Sequence, residues 1–171
     1  MKNRAMVLVG LLMLTIGLVQ GDIVGQSKEI TSTKFNELSA EDEARLNKQR
    51  AVVAAAAKKR FGSSELMKQK SDLAILQRMI DDHVFDRTQT YELQCLGVAF
   101  GDVLASEFPL KWVMVTDEYG TDPTLRYKAT SIQINALTMI SKRIEKGDPV
   151  DLARFLRITG EQLAVYGKKF R

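Results

Sequence analysis

One stretch decides the fold of this chain: residues 93–104, LQCLGVAFGDVL. Nearly every position in it is apolar or small, a pattern typical of a helix that is buried on most of its sides. Gly97 and Gly101 are four residues apart, so they line one face and let a neighbouring backbone approach closely. Each glycine destabilises the helix by about 1 kcal/mol relative to alanine. A requirement for close packing explains why glycine is present despite this cost. The sequence therefore predicts a central, buried helix.

Extended segments follow this helix. Pro109 ends it, and the apolar run over residues 110–116 is typical of a strand covered on both faces. Residues 117–123 have the composition of a turn, and residues 125–128 and 131–135 alternate as strands with one solvated face do. We therefore expect a small antiparallel sheet of two to three strands packed on the central helix.

Helices are predicted on both sides of this core. Ser39 is a good N-cap for a first helix that ends before Gly62, and a second helix is expected to end near His83. A short helix ends at Gly147, and Asp151 caps the last one. The fold class is therefore α+β, with a helical N-terminal part and C-terminal helices.

The N-terminus has the layout of a secretory signal peptide. Lys2 and Arg4 precede an apolar run over residues 5–19, and small or modest residues follow before a cut expected ahead of Asp22. The run is shorter than the ~20 residues that span a bilayer as a helix. We therefore expect residues 1–21 to be cleaved, which leaves a periplasmic or secreted chain without a membrane span; an uncleaved anchor is the alternative.

The remainder divides into two parts. Residues 22–38 are polar and lack apolar periodicity, so they are predicted to be a flexible lead-in. Residues 39–171 are predicted to form a single α+β domain, helical over 39–85.

Composition excludes several classes of protein. The chain has 171 residues, of which 45% are hydrophobic and 27% charged, as expected for an ordinary globular domain. Its net charge of +4 falls to +2 without Lys2 and Arg4, so no nucleic-acid partner is expected. Cys95 is the only cysteine and is predicted to be a buried, inert thiol. His83 is the only histidine, which excludes a multi-histidine metal site, and we interpret it as a helix-end residue.

Asp102 is the one formal charge within residues 93–104 of the central helix. We favour a structural role for it as the partner of a basic residue, because a buried carboxylate must be paired or neutral. The alternative is an envelope hydrolase that pairs Asp102 with Asp117 or Glu118. The turn carboxylates lack the spacing of a calcium loop, so neither a metal nor a cofactor is predicted. Arg126 is expected to reach Asp117 or Glu118 across the hairpin.

No catalytic motif is recognisable, whereas the hairpin and the basic helix after it offer a compact polar surface. Its predicted contact residues are Tyr119, Arg126, Lys142 and Arg143. This favours a non-enzymatic protein- or ligand-binding module of the bacterial envelope, with an envelope protein as its partner. An inhibitor or immunity-like protein is a third hypothesis, and it differs in what the partner does.

Several segments are familiar in this order: LGVAFGDVL at 96–104, WV at 112–113, DEYG at 117–120, RY at 126–127 and ISKRIEKG at 140–147. Together they resemble the bacterial family catalogued as domain of unknown function 3806, over about residues 91–155. The resemblance implies a small α+β module of bacterial proteins, some of them exported, without an established activity. A looser similarity to toxin-immunity proteins is an analogy of fold that points to binding.

Overall fold

The computed structural model describes residues 33–62 and 65–169. The predicted signal peptide and residues 22–32 of the lead-in lie outside this part. The described chain is mixed helix and sheet, so the predicted α+β class is confirmed. Its elements are β1 (Lys34–Asn36), α1 (Ala40–Phe61), a 3-10 turn (Lys70–Asp72), α2 (Leu73–Asp81), α3 (Thr90–Glu107), β2 (Leu110–Asp117), β3 (Gly120–Tyr127), β4 (Gln133–Ile134), α4 (Ala136–Met139), α5 (Ser141–Lys146) and α6 (Leu152–Lys169).

Helix α3 is the predicted central helix. All of its residues from Cys95 to Leu104 are buried, and it packs against α1, α2, α4, α5 and β2. Neighbouring elements approach the helix closely at both glycines. A Cβ at Gly97 would lie 2.5 Å from the carbonyl oxygen of Ala136 in α4, and one at Gly101 would lie 2.4 Å from the indole of Trp112 in β2. The expected close approach of a backbone is therefore confirmed at Gly97, whereas at Gly101 the neighbour is a side chain.

Helix α1 begins and ends as its sequence predicts. The Ser39 hydroxyl accepts a hydrogen bond from the Asp42 backbone N–H, and the Asp42 carboxylate accepts one from the Ser39 N–H, which together form a capping box. Gly62 closes the helix in the left-handed conformation at φ 74°. Across the described residues, no helix is both long and apolar enough to cross a bilayer.

The sheet is antiparallel, in the order β1-β2-β3-β4. Asp117 pairs with Gly120, so the turn contains only Glu118 and Tyr119, and the predicted turn extending to Pro123 is wrong. Pro123 is tolerated in β3 because its nitrogen faces the side towards β4, and β4 pairs only with Leu125 and Arg126.

The strand that sequence reasoning missed is β1, at the end of the predicted lead-in. Phe35 pairs with Val115 of β2, and its ring lies 4.3 Å from the Arg126 guanidinium carbon. Three residues are too few to show alternation, so packing of the Phe35 ring determines this strand where the local pattern cannot. The sheet consequently has four strands, where two to three were expected.

The segment from residue 131 to 147 differs in detail from its prediction. Only Gln133 and Ile134 of the expected strand pair with β3. The expected single helix is divided at Ile140 into α4 and α5, and Gly147 ends α5 at φ 78°. Helix α4 follows β4 almost directly, and its Ala136 and Leu137 carbonyl oxygens are the groups that approach α3 at Gly97.

The contact at Gly97 yields a test of this packing. We expect Gly97→Ala to lower the free energy of unfolding by about 1–3 kcal/mol, because overpacking against backbone outweighs the gain of about 1 kcal/mol in helix propensity. Urea denaturation followed by Trp112 fluorescence measures the difference.

Gly160→Ala in α6 is the matched control. The new Cβ there would meet only the half-buried Phe108 ring, at 3.0 Å, and a side chain can rotate away where backbone cannot. We expect the control to change stability by less than about 1 kcal/mol. Equal effects of the two variants would contradict the close approach at Gly97.

Candidate functional site

Asp102 lies at the junction of α1, α3 and β2. Its two carboxylate oxygens accept hydrogen bonds from Nε and Nη2 of Arg50, each at 2.8 Å. Oδ1 also accepts the indole N–H of Trp112 at 2.9 Å. The side chains of Arg50 and Asp102 are only 13% and 6% exposed, so this is a buried, bidentate ion pair.

Arg50 is held from its other side as well. Its Nη1 donates to Asn47 Oδ1 at 2.8 Å and to Glu43 Oε1 at 3.0 Å. The hydrogen bonds to Asp102 raise the pKa of the Arg50 guanidinium, although burial opposes the shift. A fully engaged guanidinium of this kind fixes the position of α1 against α3.

The same arrangement bears on the predicted roles of Asp102. The preferred interpretation, a structural partner for a basic residue, matches the contacts with Arg50. Acid–base work needs a carboxyl that can exchange a proton with substrate, whereas both oxygens of Asp102 are occupied. Asp117 is at the far end of β2, where its Oδ1 accepts the Tyr119 backbone N–H at 2.8 Å. The proposed carboxylate pair therefore loses its physical support.

Two of the four predicted contact residues are exposed. Tyr119 is at the tip of the β2–β3 turn with 88% of its surface exposed, and Lys142 is exposed on α5. Among the described residues, no hydrogen bond, ion pair or ring contact joins Tyr119 to Lys142.

The two arginines are used inside the domain. Arg126 donates to the carbonyl oxygens of Thr130 at 2.7 Å and Ala129 at 3.1 Å, so it shapes the loop that leads to β4. It is at the opposite end of the hairpin from its turn, and the predicted pair with the turn carboxylates is wrong. Arg143 donates to the Met139 carbonyl at 2.7 Å and lies 4.6 Å from the centre of the Phe155 ring.

A groove between β4 and α6, which the sequence did not reveal, includes Met139, the residue whose carbonyl Arg143 holds. The groove has a volume of about 650 Å³, within the range of ligand sites. Its apolar walls comprise Ile132, Ile134, Met139 and Leu163, and none of the described residues that line it is charged. We call this the β4–α6 groove.

Besides the hydroxyls of Ser131 and Thr159, amide and aromatic side chains supply the polar part of the β4–α6 groove. Gln133 and Asn135 come from the β4 segment, and Gln162 and Tyr166 from α6. All four are exposed, and Tyr166 has 44% of its surface accessible. The groove thus combines uncharged hydrogen-bonding groups with an apolar floor, as polypeptide-binding surfaces do.

The two walls of the groove are fixed from behind. Gln77 of α2 donates to the Val150 carbonyl and accepts the Leu152 N–H, both at 2.9 Å, so it anchors the start of α6. On the other wall, the Thr124 hydroxyl donates to the Ile134 carbonyl at 3.0 Å. Rigid walls lower the entropy that binding must overcome.

A second, smaller cavity of about 290 Å³ lies beside Arg50 and Asp102. Alanines of α1 and α3 form part of its lining, and Asp72 is another of its polar groups. The Asp72 carboxylate already accepts the Met67 N–H at 3.0 Å, and the ion pair is also engaged. Two further lining residues, Glu65 and Lys68, are exposed, so the lining of this cavity is charged, whereas that of the groove is uncharged.

The remaining titratable candidates are structural. His83 follows α2, and its Nδ1 is 3.0 Å from the Asp81 carbonyl oxygen, as expected of a helix-end histidine. Burial raises the pKa of the Cys95 thiol to about 11. No group of three or more His, Cys, Asp or Glu side chains that could hold a metal occurs in the described parts of the chain.

Sequence reasoning missed Arg50, although a signal was present. Leu46, Arg50, Val53 and Ala57 are spaced by four, three and four residues, so Arg50 belongs to the buried stripe of α1. An arginine in such a stripe indicates a buried anionic partner. The groove residues gave no comparable signal, because uncharged amides near a strand are ordinary surface residues.

Two comparisons place the domain among known proteins. Residues 72–155 match the family model described as Domain of unknown function (DUF3806). The match confirms the resemblance over that segment, which begins at Asp72, before the start expected near Tyr91. No curated protein matches the chain.

A crystal structure from Bacteroides thetaiotaomicron VPI-5482 is similar in fold, with a TM-score of 0.70 and 16% sequence identity. The alignment covers 80% of this chain and 50% of that chain, so this chain spans about half the length of that protein. At this identity the likeness concerns the fold alone.

The buried ion pair yields a stability test. We expect Asp102→Asn to lower the free energy of unfolding by about 3 kcal/mol, because it leaves the Arg50 charge buried with weaker compensation. Chemical denaturation of both proteins measures this. Glu43→Gln, at the 47% exposed end of the same network, is the control and is expected to cost less than about 1 kcal/mol. An Asp102→Asn protein as stable as wild type would contradict the role of the pair.

The buried thiol gives a second test. Cys95 in the folded chain is expected to resist Ellman's reagent at pH 8 and to react rapidly in urea. Because folding raises the pKa from an ordinary value of 9.0 to about 11, the associated stability is present below pH 9 and is lost as the pH rises through 11. Rapid labelling of the native protein at pH 8 would show that Cys95 is accessible.

Proposed function

We propose that this chain, whose residues 72–155 match a family of unknown function, is an exported, non-enzymatic protein-binding module of the bacterial envelope. Two features support it: the signal-peptide pattern of the N-terminal sequence and a binding surface, the β4–α6 groove. Its partner is an envelope protein.

Export is supported by the sequence of the leader. Lys2 and Arg4, the apolar run over 5–19 and the small residues before Asp22 follow the order that signal peptidases process. On this proposal the mature chain acts in the periplasm or outside the cell.

A binding role is supported by how the charged side chains are used. Asp102 and Arg50 satisfy each other, and Arg126 and Arg143 bond to backbone carbonyls. Charged side chains that form hydrogen bonds within the domain stabilise its fold, whereas catalysis needs side chains that can contact a substrate. The arginines thus contribute by holding the loop and helix that border the groove.

The β4–α6 groove is the single observation that carries the proposal. It places five exposed, uncharged hydrogen-bonding side chains around the apolar floor of a groove of about 650 Å³, namely those of Ser131, Gln133, Asn135, Gln162 and Tyr166. An uncharged surface of this kind suits a polypeptide partner better than a phosphate-rich or strongly ionic one.

Tyr119 and Lys142, two of the contact residues that the sequence predicts, form an alternative binding surface to the groove, because both are exposed. An inhibitor or immunity-like protein would use either surface, and only the activity of its partner would distinguish it.

Affinity capture from the envelope fraction of the native host tests the proposal. The bait is the full chain, expressed with its own leader and a C-terminal tag. We expect Tyr166→Lys with Gln162→Lys to reduce recovery of the partner about tenfold or more, because the new ammonium groups would be desolvated in an uncharged groove.

Val165→Lys is the matched control, since Val165 neighbours Tyr166 on α6, is 67% exposed and does not line the groove. It should retain the partner. Loss of capture with Tyr119→Ala/Lys142→Glu, and not with the groove variant, would move the binding surface to the hairpin. A bait that retains no specific protein would count against a protein-binding function.

A further inference from the structure

We infer that the occupant of the β4–α6 groove is an extended polypeptide segment of the partner, which adds to the sheet as a strand beside β4. The inference rests on the proposed function and specifies how the same site binds. Its starting point is the sheet order: β4 has β3 on one side, and its other side borders the groove.

The register shows which backbone groups of β4 face β3 and which do not. The Tyr127 N–H donates to the Ile132 carbonyl at 3.0 Å, so these groups face each other across the β3–β4 pair. Because the backbone groups of successive strand residues alternate in direction, the N–H and C=O of Ile134 also face β3. Gln133 and Arg126, which lie opposite each other, form a non-hydrogen-bonded pair. The N–H and C=O of Gln133 therefore point away from β3, towards the groove side.

The surroundings of this edge permit a strand to approach. Natural edge strands are commonly protected by charged residues, proline or a covering element. The described residues that line the groove include no charge and no proline, and Gln133 itself is exposed. The remaining protection is that β4 is only two residues long. Backbone pairing is thus restricted to the neighbourhood of Gln133, and side-chain contacts must add to it.

The groove specifies the chemistry of the added segment. Ile134, Met139 and Leu163 offer an apolar floor to alternate side chains of a strand, while Gln162 and Tyr166 can bond to its polar groups. No lining charge compensates an ionic side chain, and burial of an unpaired charge is costly. We therefore assign an uncharged segment with apolar residues at alternate positions.

The first step of the test selects a probe. The full chain, exported with its own leader and tagged, is immobilised and panned against a displayed library of random heptapeptides. We expect selected peptides to be uncharged, with apolar residues two apart. Their affinities are then measured for three proteins: wild type, Gln133→Pro and Gln133→Ala.

Proline at 133 removes both the N–H that points to the groove and the glutamine side chain, whereas alanine removes only the side chain, so the difference between the two variants reports on the N–H and the ring. Strand addition predicts an affinity loss of about tenfold for Gln133→Pro, from one hydrogen bond and the added ring. Strand addition predicts an affinity loss of less than about threefold for Gln133→Ala. Thermal melting should show both variants folded, whereas Ile134→Pro, which removes an N–H facing β3, should melt earlier.

N-methylation along the selected peptide gives a measurement independent of protein variants. The C=O of Gln133 accepts one amide N–H of an added strand, so N-methylation should lower affinity sharply at one position of the peptide and not at the two positions beside it. Equal affinity of Gln133→Pro and wild type, equal effects of N-methylation at neighbouring positions, or failure to select any peptide would each overturn strand addition. If Tyr166→Lys still abolishes binding in the first of these cases, the groove remains the binding site and only the mode is wrong.

Discussion

The structure depends on one buried, bidentate ion pair, that between Arg50 and Asp102. Charge inside a domain is favourable only where geometry satisfies it fully, and here the Trp112 indole also donates to the carboxylate. Trp112 can reach Asp102 because Gly101, one residue earlier in α3, has no side chain to displace the indole. A helix, a strand and the central helix are thereby fixed at one point, and the remaining elements pack around them.

The sequence predicted those elements whose signals are local. The buried helix α3, the cap at Ser39, the stop at Gly62 and the α+β class follow from patterns that a few neighbouring residues contain. Strand β1 was missed because it has only three residues and is held by a contact distant in sequence, that of the Phe35 ring with Arg126. Partners of Asp102 could be anticipated as basic, but only the packing of α1 on α3 identifies Arg50.

The functional residues show the same division. Tyr119 and Lys142 are exposed, as a surface role requires, but charge alone could not reveal that Arg126 and Arg143 bond to backbone carbonyls. These bonds stabilise the segments leading to β4 and α5, so the arginines support the groove from its borders. The groove itself joins residues 131–139 with residues 159–166, and nothing in either segment alone predicts the other as its neighbour. Uncharged amides are also common in loops, so their type carries little information.

Hydrogen–deuterium exchange of the tagged chain, with and without envelope extract of the native host, tests the central claim most directly. The exchange rates of backbone amides locate a binding surface whatever the identity of the partner. We expect slower exchange in the segment containing Gln133 and in the α6 segment containing Gln162 and Tyr166, with the hairpin tip unchanged. Protection confined to the turn at Tyr119 and to α5, or to the surroundings of Arg50, would contradict binding in the β4–α6 groove.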